Sequence, residues 1–235
     1  VGKEFMSKKN SVVLVDLGTG GQKNLLPLSV GYVLSYSANQ PDLKEICDFR
    51  IHFLKRDPSK LYNGKAPDVV GIACHVWNER ASFAFAKGVR ERFPNALIIL
   101  GGYSIPSFPE RIKPFMKKHP YVDVLVHGEG EIPFAEVLRA KFNNTDMAEV
   151  KGVTVRKQSA PDGYISTGPG DVLQVLDDVP SPFLMGLFDD IIEKQRDSVS
   201  GALIETCRGC PFPCTFCDWG KSNAKTRRFA LDTVF

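Results

Sequence analysis

The chain has 235 residues, 43% hydrophobic and 24% charged, the make-up of a soluble protein with a sizeable core. A formal net charge of +3 is too small to argue for nucleic acid, and basic pairs such as Lys117–Lys118 and Arg227–Arg228 read as decoration of a solvated face. No apolar run approaches ~18 residues and no secretory signal is visible, so no membrane partner is expected and the cytoplasm is the expected location.

Met6-Ser-Lys-Lys reads as a natural start, with Val1 to Phe5 as a tag remnant. Ser11-Val-Val-Leu-Val-Asp16 is an almost continuous apolar run, as a strand buried on both faces requires, and it ends in the loop Gly18-Thr-Gly-Gly21. Pro27 to Tyr36 has helical spacing, and a weaker strand covers Asp48 to Leu54. Asp68 to Cys74 is a clear third strand, after which Asn78 is expected to cap a helix running to about Phe93. Ala96 to Leu100 is a fourth strand, closed by Gly101-Gly102. Phe108 to Lys118 reads as a helix, Val122 to Val126 as a fifth strand, and Glu131 to Phe142 as a helix. Strands alternating with helices predict a doubly wound, Rossmann-like (flavodoxin-like) five-stranded parallel sheet over residues 11–145.

Residues 146–198 form a hairpin and linker. Val150 to Arg156 and Gly163 to Ser166 alternate around the turn Ser159-Ala-Pro-Asp-Gly163, a β-hairpin signal. Asp177-Asp-Val-Pro-Ser-Pro182 resists both helix and sheet, and Phe183 to Gln195 contains a helix. Ser200 to Glu205 is read as a short strand that opens the last segment, residues 199–235, and leads into a cysteine-rich loop.

In doubly wound sheets ligands bind beyond the carboxyl ends of the strands, where strand order reverses. Gly18, Gly20 and Gly21 follow the first strand, Gly101 and Gly102 the fourth, and Gly128 and Gly130 the fifth, and these glycines let a backbone approach a ligand closely. The fingerprint G-x-G-x-x-G is not met by Gly18-Thr-Gly-Gly-Gln-Lys23, so a nicotinamide or flavin dinucleotide is not expected.

Four of the six cysteines fall between Cys207 and Cys217, whereas Cys47 and Cys74 stand alone and read as buried small hydrophobes. Thiolates hold zinc or iron–sulfur clusters. A zinc site would use Cys207, Cys210, Cys214 and Cys217, although the spacer between the pairs is short, and a closed four-cysteine cluster for electron transfer is the stronger rival.

The spacing Cys210-x3-Cys214-x2-Cys217, with Arg208-Gly209 before it and Phe216 within it, closely resembles the cluster loop of radical S-adenosylmethionine (radical SAM) enzymes. The segments Asp68 to Asn78, Leu100-Gly-Gly102, Val126-His-Gly-Glu-Gly-Glu131, Lys151-Gly-Val-Thr154 and Leu176 to Pro182 extend the likeness to the cobalamin-binding radical SAM proteins, many of them methyltransferases. The resemblance implies that Cys210, Cys214 and Cys217 hold three irons of a 4Fe–4S cluster whose fourth iron binds S-adenosylmethionine, with Cys207 a non-ligand. It also implies a cobalamin site on the loops after the first, third, fourth and fifth strands. These contribute Gly18, Thr19 and Gly20; His75, Val76, Trp77 and Asn78; Gly101, Gly102 and Ser104; and Gly128, Glu129 and Gly130. Thr19 and Ser104 are candidate hydrogen-bond donors to the cofactor, and Trp219 is a candidate neighbour of S-adenosylmethionine or the corrin. None of His52, His75, His119 and His127 lies in the D-x-H-x-x-G pattern that puts a histidine on cobalt, so Trp77 is the candidate for the lower face. The implied chemistry is radical methyl transfer to an unactivated carbon of a small molecule or natural product, with a flavodoxin or ferredoxin as electron donor. Cyclase or rearrangement chemistry and a non-enzymatic cobalamin carrier are the alternatives. No catalytic side chain is assigned. Residues 218–235 are too few to complete a radical SAM barrel, so the chain is expected to be the amino-terminal, cobalamin-binding portion of such an enzyme, inactive alone.

Overall fold

A computed structural model describes residues 9–19, 24–212, 214–217 and 225–234. In chain order it contains β1 (Asn10–Asp16), β2 (Asn24–Leu25), α1 (Leu28–Asn39), α2 (Pro41–Ile46), β3 (Cys47–Phe53), β4 (Val69–Ala73) and α3 (Glu79–Arg92). There follow β5 (Leu97–Gly101), α4 (Pro109–Lys118), β6 (Val124–Val126), α5 (Glu131–Asn143) and the hairpin strands β7 (Val153–Arg156) and β8 (Tyr164–Ser166). The last elements are α6 (Asp189–Lys194), β9 (Val199–Gly201), β10 (Cys207–Arg208), β11 (Arg227–Arg228) and α7 (Leu231–Val234).

The main sheet has the order β3-β1-β4-β5-β6-β7-β8. Its first five strands are parallel, and β7 and β8 extend it antiparallel. The pleat sends successive side chains to opposite faces. Val12 and Leu14 of β1 pack with Val30 and Leu34 of α1 and Val137 and Leu138 of α5. Val13 and Val15 pack on the other face with Phe85 and Val89 of α3 and Ile112 and Met116 of α4. Burying each such Val, Leu or Ile contributes about 1.5–3 kcal/mol, and a strand sandwiched in this way has no room for a polar alternate residue.

The sheet has seven strands rather than five because the hairpin joins its edge. Val153 and Val155 point into the same core as α5, which pins the hairpin to β6. The expected helix at 183–195 is reduced to α6, preceded by turns over residues 183–188. The strand expected at 200–205 is only β9, which pairs in parallel with β2 rather than extending toward the cysteines. The linker covers α1: Leu173, Leu176 and Val179 cluster with Tyr32 and Phe229. Among the described residues no helix is long and apolar enough to cross a membrane.

β1 connects to β3 on one side and the chain then returns to β4 on the other, so strand order reverses between β1 and β4. The crevice that such a reversal opens lies at the carboxyl ends of those two strands.

Candidate functional site

Asp16 ends β1 at the reversal point and is buried. Burial pushes its carboxyl pKa up, against a hydrogen bond from the Gly18 amide at 2.7 Å and the nearby His75. Asn78 Nδ2 lies 3.5 Å from the same oxygen, joining the loops after β1 and β4. Asn78 stands at the N-cap position of α3, but its side chain does not cap the helix. Its Oδ1 instead accepts from the His75 amide (2.8 Å) and the Ser82 hydroxyl (3.3 Å). The turn amide of His75 competes successfully for that oxygen, since a buried amide left unpaired is costly.

The loops after β4 and β5 are stitched together as well. The Cys74 amide donates to the Gly101 carbonyl at 2.7 Å, and the Ser104 amide donates to the Cys74 carbonyl at 3.2 Å. Gly102, at φ +105°, brings its Cα so close that a Cβ would stand 2.5 Å from the Cys74 carbonyl oxygen. Only glycine satisfies both constraints. Gly18 also has positive φ, whereas Gly20 lies outside the described residues, as do Gly21 and Trp219. The Thr19 amide and hydroxyl both donate to Asn24 Oδ1, at 2.9 and 3.1 Å.

The rim of this crevice is aromatic. Trp77 is 61% exposed, which takes it out of the core, and it stacks on His75 with ring centroids 4.8 Å apart. Tyr103, which no motif or spacing in the sequence singles out, tilts toward the same imidazole at 6.5 Å, and Val76 is exposed beside them. Burial pushes the pKa of His75 down, so its ring is held neutral, with Asp16 acting in the opposite sense. His127 is likewise pushed down by burial, and its Nε2 pairs with Thr154 Oγ1 at 2.8 Å. Three side-chain atoms on these loops are buried without a hydrogen-bond partner: His75 Nδ1 after β4, Ser104 Oγ after β5 and His127 Nδ1 after β6. Buried polar atoms are nearly always paired, so unpaired ones on three adjacent loops suit a ligand carrying several amides or hydroxyls.

Beyond β6, Gly128 has positive φ and Gly130 precedes α5, and Glu129 stands between them. It pairs with Arg208 (Oε2 to Nη1, 3.3 Å) and through both oxygens with Arg227. Arg208 also meets Glu131 at 2.7 Å and Glu205 at 2.9 Å, and lies over the Tyr32 ring at 5.3 Å. Burial alone would lower the pKa of Arg208, but Glu131 and Glu205 more than offset it and hold the guanidinium charged. These partners of Glu129 are not visible from the sequence, where Arg227 reads only as part of a surface basic pair.

Cys47 and Cys74 are buried, and their thiol pKa values are pushed up to about 12 chiefly by burial, as expected of inert residues. Cys210 and Cys217 are half-buried and Cys214 is exposed, with the Cys217 amide donating to the Cys214 carbonyl at 3.1 Å. Among the described residues no three His, Cys, Asp or Glu side chains are gathered as for a metal.

No protein-family model matches the chain. The chain is 38% identical over 231 residues to the cobalamin-dependent radical SAM methyltransferase TokK of Streptomyces tokunonensis, covering 96% of this chain and 32% of that protein. Over nearly its whole length the chain is thus similar to one part of a cobalamin-dependent radical SAM methyltransferase. It is also 38% identical over 208 residues to the 2-(S-pantetheinyl)-carbapenam-3-carboxylate methyltransferase of Streptantibioticus cattleyicolor, covering 86% of this chain and 30% of the other. The fold is that of the cobalamin-dependent S-adenosylmethionine radical enzyme OxsB, solved with aqua-cobalamin and S-adenosylmethionine bound. The TM-score is 0.75 at 20% identity, over 96% of this chain and 30% of that one. The chain thus spans about a third of the length of the curated relatives it matches.

Proposed function

We propose that this chain binds cobalamin in the crevice between β1 and β4, within an enzyme that transfers a methyl group to a small natural-product substrate. The observation that carries the reading is the set of unpaired buried atoms on His75, Ser104 and His127, on the successive loops after β4, β5 and β6 that run along the sheet edge from the strand-order reversal. A corrin carries many amide groups and a broad flat face. The unpaired atoms answer the first, and the Trp77 and Tyr103 rim answers the second. The Gly102 backbone allows close approach, and the Asp16–Asn78–Ser82 bonds fix the loop that carries His75 and Trp77. Gly18, Gly20, Gly101, Gly128 and Gly130 complete the proposed cradle, with Val76 and Thr19 on its border.

Cobalamin, when bound, supplies the methyl carrier, and a 4Fe–4S cluster with S-adenosylmethionine supplies radical initiation. Cys210, Cys214 and Cys217 are the proposed cluster ligands in the opening segment of a radical SAM barrel. Three thiols fit iron by their chemistry, and drawing them together would be coupled to cluster binding. A flavodoxin or ferredoxin is the proposed electron donor, and the cytoplasm the proposed location. The chain's own contribution is to orient the cofactor by its backbone and to shield one face from water with Trp77.

Two assays test this reading. After incubation with hydroxocobalamin and desalting, the protein should retain corrin absorbance, and its absence overturns the cobalamin assignment. Anaerobic reconstitution should load iron in a Cys47→Ser, Cys74→Ser background and fail in Cys214→Ser. Equal loading of both would remove the cysteine assignment.

A further inference from the structure

Both ends of the cysteine loop are fastened to one carboxylate. β10 (Cys207–Arg208) pairs antiparallel with β11 (Arg227–Arg228), a two-residue neck with Cys210, Cys214 and Cys217 between its strands in sequence. Arg208 and Arg227, opposite each other in that neck, both bind Glu129, and their side chains are 11% and 10% exposed. Arg227 also donates to the Leu173 carbonyl, and Phe229, just beyond, stacks on Tyr32 at 5.8 Å. Glu129 itself lies between Gly128 and Gly130, on the loop that edges the crevice.

We propose that Glu129 is a positioning residue that sets the cysteine loop in register with the crevice, rather than a ligand of the cofactor. Its two oxygens are engaged by two guanidinium groups from the neck, one of them in bidentate fashion. Such fork-to-fork contacts fix angle as well as distance. Glu131 binds Arg208 from the first residue of α5, so the neck is referenced to a helix of the sheet domain and not to the loop alone. Arginine suits both neck positions, because Arg227 forks onto Glu129 and Arg208 divides its nitrogens among Glu129, Glu131 and Glu205, neither of which a lysine could do in the same geometry.

The register role rests on the cobalamin reading, whereas the attachment of the neck does not, and the test separates them. Hydrogen exchange followed by mass spectrometry is compared for the unaltered chain, Glu129→Gln, Arg227→Gln and the double variant. The expected result is at least tenfold faster exchange over residues 207–230 in each single variant, with β1, β4 and β5 unchanged, and no further acceleration in the double. Hydroxocobalamin affinity should stay within twofold in all of them. With the cluster reconstituted, the relaxation enhancement that it confers on cob(II)alamin in EPR should fall at least twofold at unchanged iron and corrin content. That is a change of distance that mere stability would not produce. Unchanged exchange in Glu129→Gln overturns the proposal, as does a loss of corrin affinity greater than tenfold with the neck unperturbed. If the unaltered chain retains no corrin, the cobalamin reading fails, and the exchange comparison still decides whether Glu129 pins the neck. Should Glu129→Gln fail to fold, Arg227→Gln reads the same contact from the other side.

Discussion

The crevice and the cysteine loop are built on opposite plans. At the crevice, backbone geometry comes ready-made: hydrogen bonds from backbone amides join the ends of β4 and β5, Gly102 permits a contact no other residue could make, and Asn78 ties two loops together. The cysteine loop has a two-residue ladder at its neck, half-buried or exposed thiols, and charged side chains as its fastening. A rigid edge suits a large cofactor whose orientation must be dictated, because little ordering remains to be done on binding. A loop of thiols takes its final form with its metal, since ligation and ordering are one event.

Perturbing each plan should have different consequences. The largest effect is expected at the neck. Arg208→Ala leaves buried Glu131 and half-buried Glu205 without their cation, while Arg227 still holds Glu129, so stability in urea should fall by about 3 kcal/mol. Gly102→Ala forces a Cβ onto the Cys74 carbonyl at positive φ. It should cost about 1–3 kcal/mol by the same measurement and reduce corrin retention, because the β4 and β5 loops must part.

A smaller, graded effect comes from pH. Burial is the main cause of the lowered pKa values of His52, His75, His119 and His127. The unfolded chain therefore binds protons that the folded one refuses, so the stability these rings contribute is present above about pH 6.5 and is lost as pH falls through their depressed folded values. Thermal midpoints should drop between pH 7.5 and 5.5, and His127→Gln should flatten that slope. Trp77→Ala should change stability least, by about 0.5 kcal/mol, because the ring is largely exposed, yet it should weaken hydroxocobalamin binding about tenfold in spectrophotometric titration.

How much of this was legible in the sequence follows from range. β1, β4 and β5 read directly as apolar runs because both their faces are covered, and the glycines after them mark the ligand edge. The hairpin was legible as a hairpin, but nothing local says which sheet edge Val153 and Val155 will meet. The orphaned Ser104 hydroxyl and the turn of Asn78 away from its helix depend on neighbouring loops, which periodicity does not report. Least legible was the fate of Glu129, whose partners stand 79 and 98 residues away: Arg208 reads as part of the cysteine loop and Arg227 as surface.

The central claim is that the strand-reversal crevice is a cobalamin site. Equilibrium dialysis of the chain against hydroxocobalamin, beside Ser104→Ala and Gly102→Ala, tests it most directly. One corrin per chain should bind, with affinity reduced in both variants. Contradiction would be no saturable binding, or binding that neither substitution alters.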